Sequence, residues 1–200
     1  MTATIPTPDR EYYVVDSPYE VAHWRPLVNW LLFIPHAIIL YGLRVLAGVV
    51  GFVYWLVLLF TGNLNLSLYR MMVLYERYNA RASGFLVGFS EEYPPFDFGT
   101  GGDDNDAYPP VTLNLPEPPD SGSRKLALNF LLAIPHYIVI AVIGIGAFFV
   151  AIAGWFAVLF TGRWPVGMRR FLVRFSNYYY RVWLYATMVT TEYPRFGLPA

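Results

Sequence analysis

The sequence predicts an all-α integral membrane protein built from two tandem repeats, and two observations predict this class. Residues Leu126–Gly162 form a run of 37 without Asp, Glu, Lys or Arg, and a second run, Pro26–Tyr69, is interrupted only by Arg44. About 18 or more apolar residues in a row are typical of a membrane-spanning helix. A shift of 100 positions aligns Asn29–Phe96 with Asn129–Phe196 without a gap, with 22 identities in 68 positions. The two halves of the chain are therefore copies of one unit.

The composition excludes several other classes of protein. Of the 200 residues, 56% are hydrophobic and 14% are charged, a balance that disordered chains do not have. The chain has no cysteine, which excludes disulfide scaffolds and thiolate chemistry. Its 14 basic and 14 acidic residues cancel, so it lacks the positive charge with which proteins bind nucleic acids. Residues 1–10 lack the basic and apolar segments of a cleavable signal peptide, and we expect none.

The repeat divides the chain into two units and a linker. We place the first unit at 1–98, with a β-like lead-in at Tyr12–Val15, and the second at 124–200. Residues 99–123 are rich in Gly, Asp and Pro, which indicates a linker with a strand at about 110–115. Each unit is expected to contain a transmembrane helical hairpin and then an amphipathic interfacial helix, with the short β elements at the cytoplasmic surface. The expected ranges are about 26–62 and 66–89 in the first unit, and about 125–161 and 166–189 in the second.

Two arrangements of each apolar run are compatible with its length. A hydrocarbon core of about 30 Å needs about 20 helical residues, so a run of 37 is too long for one simple span. We favour a hairpin of two short helices that turns near Arg44 and near Gly144–Gly146, which keeps the arginine among the lipid headgroups. The alternative is a single span of about 25 residues after Pro35 and Pro135. That span carries Arg44 near its centre, at a cost of about 3 kcal/mol.

The placement of charge favours the hairpins. With them, every Lys and Arg of the two repeats except Arg44 lies on one side of the membrane, which the positive-inside rule assigns to the cytoplasm. We therefore expect a multi-pass protein of a bacterial cell membrane, with its basic face and both termini in the cytoplasm.

Arginines recur on the last helix of each unit. In the second unit Arg170, Arg174 and Arg181 share one face of a helix, and nearly all other positions are apolar or aromatic. The first unit keeps this face, with Leu74 in place of the second arginine. We interpret both as interfacial helices whose arginines lie at the level of the lipid phosphates. They anchor the protein, or they bind an anionic lipid headgroup or an acidic partner helix. The arginines of the first unit are Arg70, Arg77 and Arg81.

His36 and His136 occupy equivalent positions, each directly after a proline and within apolar sequence. We favour a structural hydrogen bond for each, because proline frees a backbone carbonyl that a polar side chain can bind. The alternative is a haem or metal site in which the two rings face each other in a helical bundle. Two histidines without nearby carboxylates or thiolates make a poor general metal site, so we expect no metal.

Three short motifs recur in both units. They are Ile34-Pro35-His36, Leu59-Phe60-Thr61-Gly62 and Glu92-Tyr93-Pro94-x-Phe96, each found again 100 positions later. These motifs resemble those of an uncharacterised bacterial membrane family, domain of unknown function 4389, which is common in actinobacteria. The resemblance covers about 27–96 and 124–196, and it implies a membrane location but no activity.

The sequence contains no catalytic motif of the G-x-S-x-G, H-E-x-x-H, Walker or dinucleotide-binding type, and we expect no enzymatic activity. Our leading hypothesis is an accessory or scaffold subunit whose apolar helices dock against a larger membrane-protein complex. The first alternative is an anionic-lipid-binding or lipid-transport-associated protein that uses the arginines. The second is a haem-binding electron-transfer subunit through His36 and His136. We expect no resident cofactor, although a bound phospholipid fits the sequence better than haem, and we expect membrane lipids but no nucleic acid as partners.

Overall fold

The computed structural model describes residues 11–98, 108–115, 118 and 122–199, and most of the predicted linker lies outside them. The described residues are mostly helical, as predicted, and they include one two-stranded sheet. Strands β1 and β2 lie within the predicted β segments, and a 3-10 turn at Arg124–Leu128 leads into α4. The elements in chain order are β1 (Tyr13–Val15), α1 (Arg25–Leu32), α2 (Ile34–Thr61), α3 (Leu66–Val87), β2 (Val111–Leu113), α4 (Asn129–Leu132), α5 (Ile134–Thr161) and α6 (Val166–Ala186).

The two apolar runs form long helices, α2 and α5, of 28 residues each. Pro35 and Pro135 stand in the first turn, where the missing N–H costs no hydrogen bond. Gly62 and Gly162 end the helices with φ angles of 72° and 66°, a conformation that glycine adopts without strain. The repeated Leu-Phe-Thr-Gly motif is therefore a helix stop signal.

The turn that we predicted inside each apolar run does not occur. Helix α2 continues through Arg44, and α5 continues through Gly144–Gly146, so the hairpins predicted at 26–62 and 125–161 are wrong. A glycine inside a helix costs only about 1 kcal/mol, which the packing of neighbouring apolar residues overcomes. The continuous helices match the single-span alternative, and each is about 42 Å long at about 1.5 Å per residue.

Each copy does contain a helical hairpin, but its arms are α2 with α3 in the first copy and α5 with α6 in the second. The arms run antiparallel, because His36 at the start of α2 bonds to Tyr78 of α3, and Gly51 further along α2 lies beside Met72. Residues 62–65 make the turn in the first copy. Helices α3 and α6 nearly coincide with the predicted ranges 66–89 and 166–189, but they are packed inside the protein. Eleven of the 22 residues of α3 are buried.

The β lead-in of each copy packs on the helices of the other copy. Strands β1 and β2 pair antiparallel, with Tyr13 opposite Leu113, and β1 packs on α6 whereas β2 packs on α3. Asn177 of α6 holds β1 in this position through two hydrogen bonds. Its Oδ1 accepts a hydrogen bond from the Tyr13 N–H at 2.9 Å, and its Nδ2 donates to the Tyr13 carbonyl at 2.6 Å.

Helices α2 and α5 keep a large apolar surface exposed. Segments 34–61 and 124–161 are long and apolar enough to cross a membrane, and only 22% and 11% of their most apolar 18-residue stretches are buried. Ile38, Phe52 and Phe148 are among the exposed side chains. Exposed apolar faces of this extent mark surfaces that contact lipid or another apolar surface. This finding supports membrane association, whereas the number of crossings and the orientation stay predictions.

We expect Gly154→Ala to destabilise the protein and Gly146→Ala to raise its stability by up to about 1 kcal/mol, because alanine favours a helix more than glycine does. A Cβ on Gly154 would overlap the buried Trp164 ring, whereas a Cβ on Gly146 of the same helix meets nothing within 4 Å. Overpacking of this kind costs about 1–3 kcal/mol. We expect a loss of that size in the free energy of unfolding, measured by SDS titration in mild detergent. Equal stability of the two variants would contradict the packing of Trp164 against α5.

Candidate functional site

The arginines of α3 do not form a lipid-facing stripe. Arg70 is exposed, but Arg77 and Arg81 are buried, with 4% and 3% of their surface exposed. Arg81 forms an ion pair with Asp97 at 3.5 Å. The prediction that Arg77 and Arg81 reach the lipid phosphates is therefore wrong. The physical reason is that α3 is not a peripheral helix, since α2 and β2 both pack on it.

The arginines of α6 come closer to the predicted arrangement. Arg170 is exposed, and Arg174 and Arg181 are half-buried. The Arg174 Nε–H donates to the carbonyl of Pro199, which ties the C-terminal segment to α6. Arg70 and Arg170 are thus the repeat-related pair that can contact an anionic headgroup.

Arg169 is a buried arginine that the helical pattern did not reveal. Its guanidinium donates to the carbonyl oxygens of Ser17 and Pro18, each at 2.8 Å, and to the Ser17 hydroxyl at 2.7 Å. It also lies over the Tyr19 ring at 4.3 Å. These contacts join the N-terminal segment of the first copy to α6 of the second. The repeat counterpart of Arg169 is Tyr69, so the alignment of the two copies gave no signal for it.

His36 and His136, the two histidines singled out in the sequence, each form a hydrogen bond with a tyrosine of the next helix, α3 or α6. His36 Nδ1 lies 2.7 Å from the Tyr78 hydroxyl, and Phe96 stacks on the imidazole with centroids 4.7 Å apart. The Ile-Pro-His and Glu-Tyr-Pro-x-Phe motifs therefore meet around one buried imidazole, which the partly exposed Phe96 covers. The structural hydrogen bond that we favoured exists, but its partner is a tyrosine hydroxyl and not a backbone carbonyl. The second copy repeats the cluster with His136–Tyr178 at 2.8 Å and His136–Phe196 at 3.9 Å.

The two histidine clusters are separate. The described hydrogen bonds and ring contacts of His36 and His136 share no residue. Within the residues that the structure describes, no group of three or more His, Asp or Glu side chains could hold a metal ion. Ligation of haem by the two histidines stays a prediction.

A cavity of about 490 Å³ lies between the two copies, and we call it the inter-copy groove. One face of α2 with the small residues Ala47, Gly48 and Gly51 forms its floor, and side chains from α3, α4 and the end of α6 form its walls. A concave, mostly apolar cavity of a few hundred Å³ is typical of small-molecule sites. The other residues that line it are Arg44, Phe52, Trp55, Met72, Tyr75, Glu76, Phe130, Trp183, Ala186, Thr187 and Met188.

Glu76 is the buried carboxyl group of the inter-copy groove. Its side chain is 1% exposed, and Trp183 of the second copy donates its Nε1–H to Glu76 Oε1 at 2.6 Å. Among the described residues, no Lys, Arg or His forms an ion pair with it. Burial raises the pKa of Glu76 from 4.5 to about 7, and the hydrogen bond from Trp183 opposes that rise. Tyr75, Tyr179 and Tyr180 interact with it and stay neutral, because burial raises the pKa of each.

The polar residues of the inter-copy groove differ between the two copies. Arg44, Glu76 and Trp183 each have a different residue at the equivalent position of the other copy, although the histidine clusters are the same in both copies. The first copy therefore has a chemical environment here that the second copy does not reproduce. The replacements are Gly144 for Arg44, Ser176 for Glu76, and Ser83 for Trp183.

The fold and the groove define a class of protein: a tandem-repeat helical protein with two long apolar helices suited to a membrane and a cavity between its copies. Residues 24–97 and 123–197, most of the chain, each match the family described as Domain of unknown function (DUF4389). The chain belongs to this family and carries two tandem copies of its domain, which confirms the resemblance inferred from the motifs. No curated protein and no solved structure matches it.

Tyr78→Phe is expected to lower the free energy of unfolding by about 1–3 kcal/mol, because it removes the hydrogen-bond partner of a buried imidazole nitrogen. Tyr178→Phe is expected to have the same effect in the second copy. Tyr41→Phe is the control, since Tyr41 is exposed. SDS titration of the three purified variants measures the differences. Losses no larger than that of the control would show that the histidine clusters do not stabilise the fold.

Glu76→Gln is expected to remove a pH dependence of the stability. The folded protein keeps the Glu76 proton up to about pH 7, whereas the unfolded chain releases it near pH 4.5. The stabilisation from this group is therefore fully present below pH 4.5, and about 3 kcal/mol is lost as the pH rises through 7. Tyr75, Tyr179 and Tyr180 stay neutral in this range, because burial raises the pKa of each. Unfolding of both proteins from about pH 4 to about pH 8 measures the difference, and parallel pH profiles would contradict the burial of this carboxyl.

Proposed function

We propose that the protein is a non-enzymatic membrane protein that binds the hydrocarbon chain of a lipid in the inter-copy groove. The observation that carries this proposal is the groove itself, with about 490 Å³ of mostly apolar space. Neither copy forms it alone, because its lining comes from α2 and α3 of the first copy and from α4 and α6 of the second. The proposal refines the lipid-binding alternative and moves the ligand from the arginines to the groove.

In this proposal the bilayer supplies the ligand. Helices α2 and α5 lie in the membrane, where their exposed aliphatic and aromatic side chains leave water, at a gain of about 25 cal/mol for each Å² of apolar surface. The floor of the groove is part of α2, so a lipid chain enters from the hydrocarbon region without crossing water. Two crossing helices leave both termini on the same side of the membrane, which we place in the cytoplasm. The basic residues of this multi-pass protein are then divided between the two sides, so the single basic face that the predicted hairpins implied is not kept.

A second candidate function is the accessory or scaffold subunit of a larger membrane complex. Exposed glycines on the long helices favour it, since an added Cβ at Gly42 of α2 or Gly146 of α5 would meet nothing within 4 Å. Small residues on an apolar helix let another helix approach closely. In this candidate function a partner protein covers the exposed faces of α2 and α5.

Gly48→Phe tests the lipid-binding proposal. Gly48 lines the groove and has open space around its Cα, so a phenyl ring there would fill the groove without displacing the backbone. Gly42→Phe is the matched control, because Gly42 lies on the same helix, is equally open and does not line the groove. Each protein is purified from its native membrane in mild detergent and weighed by native mass spectrometry. We expect bound lipid on the wild type and on Gly42→Phe, and about tenfold less on Gly48→Phe.

Equal lipid content in the three proteins would contradict lipid binding in the groove. A stoichiometric membrane-protein partner that Gly42→Phe displaces and Gly48→Phe retains would favour the accessory-subunit function. If Arg70→Ala and Arg170→Ala lost their lipid while Gly48→Phe retained it, the exposed arginines and not the groove would be the lipid-binding site.

A further inference from the structure

The polar residues of the inter-copy groove indicate which lipid it takes, and this inference rests on the proposed function. We propose that the groove recognises a zwitterionic amphiphile, whose ammonium group lies against Glu76 and whose phosphate or carboxylate binds Arg44. One acidic and one basic side chain line the same apolar groove. Together they complement a headgroup that carries both signs of charge.

An ammonium group provides the counter-ion that Glu76 lacks among the described residues. Glu76 is 1% exposed, and its described hydrogen bond comes from the neutral indole of Trp183. An ionised carboxylate in such a place is costly unless a cation pairs with it. Because the pKa of Glu76 is about 7, little free energy is needed to ionise it near neutral pH, and a cation in the groove then stabilises the ionised form.

Aromatic rings line the inter-copy groove both beside Glu76 and at the end away from Arg44. Trp183 stacks on Tyr179 with centroids 6.2 Å apart. Trp55 stacks on Phe52 at 6.0 Å and meets Phe130 edge-on at 6.4 Å. The negative faces of aromatic rings attract ammonium groups, most strongly in places removed from water. The Glu76 carboxylate beside the Trp183 indole is therefore suited to an alkylammonium group, whereas Phe52, Trp55 and Phe130 lie toward the acyl chain.

Arg44 supplies the opposite charge at one end of the floor. It is exposed, and its guanidinium can bind a phosphate or a carboxylate with two parallel hydrogen bonds. From Arg44 to Trp55 helix α2 rises about 16 Å. The small residues Ala47, Gly48 and Gly51 between them leave room for an acyl chain. An arginine that is costly within an apolar helix thereby has a ligand-binding role.

The second copy cannot form an equivalent site. At the positions equivalent to Arg44, Glu76 and Trp183 the chain has Gly144, Ser176 and Ser83, which carry neither charge nor an aromatic ring. We therefore expect one specific lipid for each chain, although the chain contains two copies of the domain.

The test uses the full chain in mild detergent and two soluble probes with the same acyl chain, zwitterionic lysophosphatidylcholine and anionic lysophosphatidylglycerol. Glu76→Gln keeps the shape of the side chain and can accept the Trp183 hydrogen bond, but it cannot carry a charge. Ser176→Ala is the matched control at the repeat-equivalent position. Native mass spectrometry counts the bound probes, and melting temperatures no lower than that of the wild type show that both variants are folded.

We expect the wild type and Ser176→Ala to bind one lysophosphatidylcholine about tenfold more tightly than lysophosphatidylglycerol. We expect Glu76→Gln to lose that preference. A preference that survives in Glu76→Gln, or tighter binding of lysophosphatidylglycerol by the wild type, would overturn the headgroup assignment and leave the groove as a lipid site. If Gly48→Phe bound each probe as tightly as the wild type does, lipid binding in the groove would instead be overturned.

Discussion

The fold depends on polar side chains of α3 and α6 that form hydrogen bonds with residues of the other copy. Asn177 of α6 holds the backbone of Tyr13, and Arg169 holds the segment around Ser17. Trp183 of α6 likewise donates to Glu76 of α3 in the first copy. A buried polar group without its partner costs about 1–3 kcal/mol. Each copy therefore needs the other to bury its last helix. Strand β1 covers α6 and strand β2 covers α3 for this reason.

The repeated and the unrepeated residues have different roles. His36, Tyr78 and Phe96 recur in the second copy with the same contacts, and the glycine after each long helix ends it in both copies. These residues make the fold. The polar residues Arg44, Glu76 and Trp183 of the inter-copy groove do not recur, and they are the ones to which we assign the proposed ligand. Identity between the copies therefore marks what each copy needs for its own fold. The residues that differ include the contacts between the copies, such as Asn177 and Arg169, as well as the polar lining of the inter-copy groove.

Much of the secondary structure could be predicted from sequence, because the repeat, the proline and glycine signals and the apolar runs are local. The turn predicted at Arg44 was wrong because a single charge and a few glycines do not outweigh 28 residues of helical packing. Burial of Arg77 and Arg81 could not be predicted, since a helical pattern does not show how many neighbours cover the helix. The inter-copy groove was equally inaccessible, because residues 44–55, 72–76, 130 and 183–188 meet only in the folded chain.

Photo-crosslinking in native membranes with a phosphatidylcholine that carries a diazirine on its acyl chain tests the central claim most directly. Met72 and Met188 line the groove and are otherwise buried, so lipid on the outer surface of the protein does not reach them. We expect peptide mass spectrometry to find the label at these two methionines. A label confined to outward-facing residues such as Ile38 and Phe148 would contradict a lipid site between the two copies.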